Sequence, residues 1–260
     1  MQENLWEMAA AGTHDAALRL LPKGMPPTAR IGDMPCGAGA LTQRLIKLGY
    51  SNIVCADIDL SQLRLGSEVK TLKINLSAPV ESNHNEFDCI YCIECIEHVE
   101  NPFQLMRNCA NLLKLGGSLI VSTPNILSTT ARTKYLIGGY FPHFYELAAR
   151  WEEVIAAKYQ AHINPLPLQA LMFMAWKNGL TLQTIDTNRL VHRQRLKDRL
   201  VAFVTKRFGN RLYSPEMASL LYSEPVLFGD ILVVKFSKCQ ESLDGYAATK
   251  AGSIVGETWK

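Results

Sequence analysis

Residues 31–43, IGDMPCGAGALTQ, place an acid at the end of an apolar run, follow it with a proline and two glycines one residue apart, and then enter an amphipathic stretch. Glycine lacks the Cβ that holds other backbones away from a ligand. A strand, a glycine turn and a helix in this order therefore mark a backbone built to pass close to a nucleotide-like molecule. The spacing predicts a strand over about 29–33 and a helix over about 39–48, where Leu41, Leu45, Ile46 and Leu48 recur at helical intervals before Gly49. A Gly-x-Gly pair alone is weak evidence, and its weight depends on the elements around it.

Downstream, the chain alternates between strand and helix. NIVCADID (52–59) is a second strand, with a short helix over about 60–66, and VKTLKINL (69–76) is a third. FDCIYCIE (87–94) is a fourth. Asn101 as N-cap, Pro102 in the first turn, a stripe of Phe103, Met106, Ala110 and Leu113, and Gly116 beyond the end predict a helix after it. SLIVSTPN (118–125), a helix over about 166–178, LTLQTIDT (180–187) and DILVVKFS (230–237) complete the series. Strands and helices alternating at this spacing imply an α/β, doubly wound, mostly parallel sheet with helices on both faces.

Hydrophobic residues make up 48% of the 260 and charged residues 20%, which excludes wholesale disorder. One domain over 1–239 is expected, with a frayed tail at 240–260. The net charge of +3 is too small to name a partner. No apolar stretch reaches the roughly 18 residues that span a bilayer. The first residues carry Glu3, Glu7 and Asp15 rather than a basic start and an apolar run. The seven cysteines are scattered in apolar runs, so reduced thiols and a cytoplasmic location are expected. Cys89, Cys92 and Cys95 have iron–sulfur-like spacing, but on a strand Cys89 and Cys92 point to opposite faces and do not converge.

In an open parallel sheet, ligands bind beyond the carboxyl ends of the strands. Asp33, Asp57, Asn75 and Glu94 stand at or just past four successive strand ends. Asp57 is placed to accept from ribose hydroxyls, as in a dehydrogenase. Against a dehydrogenase stand the missing third glycine and an acid that precedes the glycines.

RIGDMPCGAGALTQRL, VCADIDLSQL, INLSAPV and FDCIYCIECIEHVENPFQLMRNCANLLKLGGSLIVSTPN, in this order, resemble the successive motifs of class I S-adenosylmethionine-dependent methyltransferases. The resemblance is close over about 28–125 and holds in outline over 160–237. It implies a Rossmann-like sheet of seven strands with the last one antiparallel, and S-adenosylmethionine as donor with S-adenosylhomocysteine as product. Carried over by residue, Asp33 reaches toward the methionine amino end, Cys36, Gly37 and Gly39 form the turn beneath the donor, and Asp57 holds the ribose. Ile58 lies against the adenine, Asn75 and the Leu76 amide meet its edge, and Cys92 and Ile93 run beside the methionine portion. Pro35 replaces a common first glycine and could stiffen or displace the turn; Asn75 replaces a common Asp but keeps a carbonyl acceptor.

ECIEHVE (94–100) resembles the E-x-x-E-H segment of ubiquinone-type O-methyltransferases and of small-RNA 2′-O-methyltransferases, where related residues bind a divalent metal. On that resemblance Glu94, Glu97, His98 and His162 are candidate metal ligands, and His98, Glu97 and His162 candidate catalytic residues. The bland alternatives are a backbone-orienting Glu94, a helix-start Glu97 and a buried, hydrogen-bonded His98.

Two insertions are expected at the donor edge. Residues about 125–165 carry Tyr140, Phe141, Phe144, Tyr145 and Trp151, either an aromatic lid or a local satellite core. Residues about 188–228 begin NRLVHRQRLKDRLVAFVTKRFGNRL, where Leu190, Leu196, Leu200, Phe203 and Val204 interleave with eight basic residues. That pattern over 189–212 suits peripheral association with an anionic membrane or a lipid-linked acceptor, or else a solvated basic helix packed on the domain. No RNA-binding module is appended and the chain is not strongly basic, which argues against nucleic acid. Three functions stay open: an O-methyltransferase of a small or lipid-linked hydroxyl acceptor, a small-RNA 2′-O-methyltransferase, and a methyltransferase-like binding or scaffold protein without catalysis.

Overall fold

A computed structural model describes residues 5–66, 69–80, 85–144 and 161–240. In chain order the elements are α1 (Thr13–Arg19), β1 (Arg30–Asp33), α2 (Ala40–Lys47), β2 (Asn52–Asp57), β3 (Lys70–Lys73), β4 (Phe87–Cys92), α3 (Pro102–Leu112), β5 (Leu113–Pro124) and α4 (Thr129–Gly138). They continue with α5 (Leu168–Lys177), β6 (Leu180–Thr187), α6 (Leu196–Gly209), α7 (Pro215–Leu221), α8 (Glu224–Phe228) and β7 (Ile231–Lys238). Seven strands form one sheet in the order β3-β2-β1-β4-β5-β7-β6. β7 alone is reversed, antiparallel to both β5 and β6.

The alternation of side chains along the strands builds a core on each face. Ile90 and Cys92 join Val121 and Val234 under α3 and α5, through Leu105, Met106, Leu171 and Met174. Cys89 and Tyr91 face the other way, with Ile31, Ile53 and Ile120, under α1 and α2 through Ala16, Ala17, Leu41 and Leu45. Each fully buried Leu or Ile contributes about 1.5–3 kcal/mol relative to exposure. Cys89 and Cys92 thus lie on opposite faces of the sheet, as the period of a strand requires.

Several boundaries differ from the sequence expectation. α3 starts as expected, with the Asn101 side chain accepting from the Gln104 amide, but ends at Leu112 because sheet pairing takes over. Glu86 N–H donates to the Leu112 carbonyl and Phe87 stands opposite Leu113. β5 therefore begins five residues before SLIVSTPN, and Gly116, at φ 79°, lies in an irregular stretch of that strand rather than at a helix end. β3 is only four residues long, because the Asn75 side chain accepts from Ser77 N–H and turns the chain. The helix expected over 60–66 is a single 3₁₀ turn, Leu60–Gln62, closed by Asp59 accepting from Ser61 N–H. α1 carries no strong sequence signal and appears only in the structure.

Register aligns the strand ends. Asp33 stands level with Cys55 and Tyr91, so Asp57 and Ile93 project just beyond it at one edge. Pro124 faces Ile231 and Thr187 faces Leu232, so residues 125–167 leave, and residues 188–230 leave and return, at that same edge.

Candidate active site

Asp33 ends β1 almost fully buried, and its Oδ2 accepts from the Thr42 amide (3.1 Å) and the Thr42 hydroxyl (2.7 Å) in the first turn of α2. Desolvation outweighs those bonds and pushes its pKa up to about 7. The turn between them is pinned to β2. Although Pro35 has no N–H to give, Cys36 N–H donates to the Ala56 carbonyl (2.9 Å) and Gly37 N–H to Asp57 Oδ2 (3.0 Å). Asp57 Oδ1 accepts from Asp59 N–H, so one carboxylate links the glycine turn to the chain leaving β2. Gly37 (φ 48°) and Gly39 (φ 88°) occupy the left-handed region, and a Cβ on Gly39 would come within 2.7 Å of Leu65 Cδ1. Both the conformation and the space demand glycine there.

Past β3, Asn75 is exposed and Leu76 buried. Asn108 of α3, itself buried, donates to the carbonyls of Leu76 (2.9 Å) and Ala78 (2.7 Å) and fixes that loop. Ile58 is half-buried, while Cys92 and Ile93 are buried.

Beyond β4 the chain turns sharply at Glu94, whose φ is 45° and whose amide donates to Ser122 Oγ (2.9 Å). Glu94 Oε2 accepts from Ala10 N–H (2.7 Å), tying the N-terminal segment over the edge. Glu97 is completely buried, and among the described residues neither carboxylate oxygen has a partner in hydrogen-bond geometry. Burial first, and Glu94 second, raise its pKa well above the ordinary range; the nearby Thr123 hydroxyl only tempers this. His98 Nδ1 lies 3.1 Å from the Ala161 carbonyl, which accepts only, so Nδ1 carries the proton and Nε2 the lone pair. Burial, aided by His162, lowers the His98 pKa to about 4, leaving the ring neutral at pH 7.

The rings of His98 and His162 meet edge-on at 4.5 Å, and one ligand atom from each of Glu97, His98 and His162 falls within 4.8 Å of the others. Two backbone bonds, from Ile163 and Asn164 to the Glu97 carbonyl, and one from the Asn164 side chain to the Val99 carbonyl, hold the His162 segment against ECIEHVE. The structure brings together three of the four candidate ligands; Glu94 stands outside the group, engaged with Ala10. The chemistry fits a divalent cation: a buried carboxylate without hydrogen bonds, and an imidazole whose far nitrogen is held by a carbonyl.

Residues 5–185 match the model of a methyltransferase domain family. The chain belongs to the class I S-adenosylmethionine-dependent methyltransferases. A ubiquinone biosynthesis O-methyltransferase of Dechloromonas aromatica (strain RCB) is 34% identical over 104 residues, which is 37% of this methyltransferase and 44% of that protein. One from Xanthomonas campestris pv. campestris (strain B100) is 25% identical over 174 residues, 61% and 72% of the two chains. The first match thus spans less than half of the relative's length. Among solved structures, a Haloferax volcanii protein in complex with the Trm112 methyltransferase activator superposes with a TM-score of 0.56 at 13% identity, over 88% of this chain and 90% of that one. An S-adenosylmethionine-dependent methyltransferase from Mesorhizobium loti gives 0.51 at 15%, over 85% and 95%. The fold is shared with both.

The methyltransferase also places near this group three residues that the sequence did not single out as candidates. His143, at φ 67°, places Nε2 3.1 Å from Asp230 Oδ1, and Arg189 clamps Asp230 Oδ2 through Nε (3.0 Å) and Nη2 (2.7 Å). The His143 and Arg189 bonds hold the Asp230 pKa down to about 2 against burial. The His143 ring is 6.5 Å from that of His162. Phe144 is buried against His162, and Phe141 stacks on Tyr135 at 4.4 Å, so these aromatics pack locally; Tyr145 and Trp151 lie outside the described residues.

Glu97 and Asp33 both favour the protonated form in the folded state, so the stability tied to them is complete below the ordinary carboxylate pKa near 4. It is lost as pH rises, through about 7 for Asp33. Glu97→Gln is therefore expected to raise Tm at pH 8 but not at pH 4.5, by several degrees, since 1 kcal/mol moves Tm of a domain this size by about 2–4 °C. Manganese should raise Tm of the wild type and not of the variant. An equal manganese response in both, by scanning calorimetry, would remove Glu97 from the ligand set.

Proposed function

We propose that this methyltransferase methylates a hydroxyl oxygen of a small or lipid-linked acceptor. The observation that carries the reading is the Glu97–His98–His162 group, with Glu97 buried and both histidines half-buried, beside the edge where Gly37, Gly39 and Asp57 are presented. An alcohol or phenol must lose a proton to attack carbon, whereas an amine needs only its lone pair. A site that invests a buried carboxylate and oriented imidazoles therefore suits oxygen.

In this reading Asp33, Cys36, Gly37 and Gly39 hold the methionine end of the donor, Asp57 its ribose, Ile58, Asn75 and Leu76 its adenine, and Cys92 and Ile93 the face between. Bound S-adenosylmethionine supplies a methyl group on a positively charged sulfur. A divalent cation, held by Glu97, His98 Nε2 and His162, would lower the pKa of a bound hydroxyl. The chain itself aligns the acceptor oxygen with the methyl carbon and takes up the proton. His143 is a candidate acceptor for that proton, because Asp230 fixes its Nε2–H, leaves Nδ1 with the lone pair, and stabilises the imidazolium that forms. The oxygen–carbon bond forms as the carbon–sulfur bond breaks, and S-adenosylhomocysteine leaves as a neutral thioether.

The test pairs acceptors that differ in one atom. With labelled donor, phenolic and catecholic compounds should become methylated on oxygen, and the matching anilines should not; chelation should abolish turnover. Methylated anilines with unmodified phenols would overturn the assignment to oxygen, and full activity after exhaustive chelation would remove the metal from it.

A further inference from the structure

The outward face of α6 is apolar where a packed helix would be polar. Asp198, Ala202 and Gly209 are buried and mark the side on which α6 sits against the protein. At about 100° per residue, Leu196, Leu200 and Phe203 fall on the opposite side, with Val204 beside them. All four are exposed, Leu196 to 81% and Phe203 to 66%. Next to this stripe the end of α4 presents Leu136 and Ile137, exposed to 86% and 81%. Between the two helices runs a groove of about 630 Å³ whose walls include Leu127, Tyr135, Phe141, Leu200 and Val204.

Charge singles out the same face. Residues 189–212 hold eight basic residues and one acid, while the remaining 19 basic and 23 acidic residues leave the rest of the chain at −4. The single acid, Asp198, is turned inward and accepts from the Thr129 hydroxyl (3.0 Å), so it does not offset the outer face. Arg189 and Arg193 are spent on Asp230 and Glu224, which tie down the base of the insertion. Arg195, Lys197, Arg199, Lys206, Arg207 and Arg211 are exposed, and none forms an ion pair among the described residues. By helical angle, Arg195, Arg199 and Lys206 line one border of the apolar stripe and Lys197 the other, while Arg207 stands within the stripe in the last turn of the helix and ends it.

We propose that this face of α6, with the end of α4, docks on an anionic lipid surface, its apolar side chains entering the interface and its cations meeting the headgroups. An apolar wedge bordered by cations, on a chain otherwise net negative, is complementary to anionic lipid and not to a neutral one. The groove opens onto the same face and would admit a hydrocarbon chain. It starts at Ile126 and Leu127, directly after β5 ends at the donor edge. The proposal does not depend on which atom is methylated.

The test is co-sedimentation of the full chain with vesicles. Binding to phosphatidylcholine vesicles containing phosphatidylglycerol should exceed binding to pure phosphatidylcholine by about tenfold or more at low salt. Arg195→Glu with Arg199→Glu should lose most of this difference. Leu196→Asn, Leu200→Asn and Phe203→Asn together should abolish the part that persists in high salt, because screening spares apolar contacts. All five positions are exposed, and both variants should keep the wild-type affinity for S-adenosylhomocysteine, which verifies folding. Equal, negligible sedimentation with both vesicle types overturns the proposal, as does binding that both variants retain. A dimer that the triple variant dissociates, without vesicle binding by the wild type, would assign the face to a second copy of the chain.

Discussion

His98→Ala is expected to lower kcat for methyl transfer by about 10²–10⁴-fold while leaving S-adenosylhomocysteine affinity within about twofold. The ring is held for its Nε2 atom. The Ala161 carbonyl fixes the proton on Nδ1, His162 meets the ring edge-on, and the Glu97 carboxylate sits beside it with no hydrogen bond among the described residues. No donor-edge residue bonds to this ring, so donor affinity should not depend on it. With a pKa lowered to about 4, by burial first, His98 keeps its lone pair throughout the neutral range. A depressed imidazole pKa gives stability that is present above about 6.5 and lost as pH falls through about 4. The acid limb set by this group should therefore lie below pH 6.5, and His98→Ala should remove it. Turnover within about tenfold of wild type, with a fall in Tm instead, would mark His98 as a buried structural histidine.

Asp57→Ala is expected to weaken S-adenosylhomocysteine by about 1–3 kcal/mol, or roughly 5- to 150-fold. Two losses add. The ribose hydroxyls lose a charged acceptor, and Gly37 N–H and Asp59 N–H lose the carboxylate that links the glycine turn to the chain leaving β2. Asp57→Asn separates them, since one amide oxygen can still accept from Gly37 while the charge is gone. It should fall between wild type and alanine. If alanine and asparagine both bind as tightly as wild type in calorimetry, the ribose is held elsewhere.

The strand end and glycine turn proposed as the donor edge were legible in sequence because they are local. Asp33, the glycine turn and Asp57 lie within 25 residues, and strand period and glycine chemistry suffice to place them. Pro35 does not push the turn away from β2, because the next amide, Cys36 N–H, finds the Ala56 carbonyl. The candidate ligand cluster was only half legible. Glu97 and His98 are neighbours in the chain, but His162 reaches them through backbone bonds from Ile163 and Asn164, a pairing across 65 residues that no periodicity announces. His143, Asp230 and Arg189 were missed for the same reason: they come from three separate segments, and only the antiparallel pairing of β7 with β5 brings Asp230 to this edge. Asn108 looked like one more polar residue of an amphipathic helix, yet it fixes the Leu76 loop. The basic insertion read equally as a packed helix or a surface-seeking one; burial of Asp198 and exposure of Leu196 decide which face is turned outward.

The central claim is that the carboxyl edge of β1 to β4 is a donor site built around Gly37, Gly39 and Asp57. Calorimetric titration of S-adenosylhomocysteine into the wild-type chain tests it most directly. One molecule should bind per chain, with the affinity reduced in Asp57→Ala and tighter at pH 8 than at pH 6, because Asp33, with a pKa of about 7, must ionise to meet the donor's ammonium group. Absence of binding heat from the folded protein at millimolar ligand, at either pH, would contradict it.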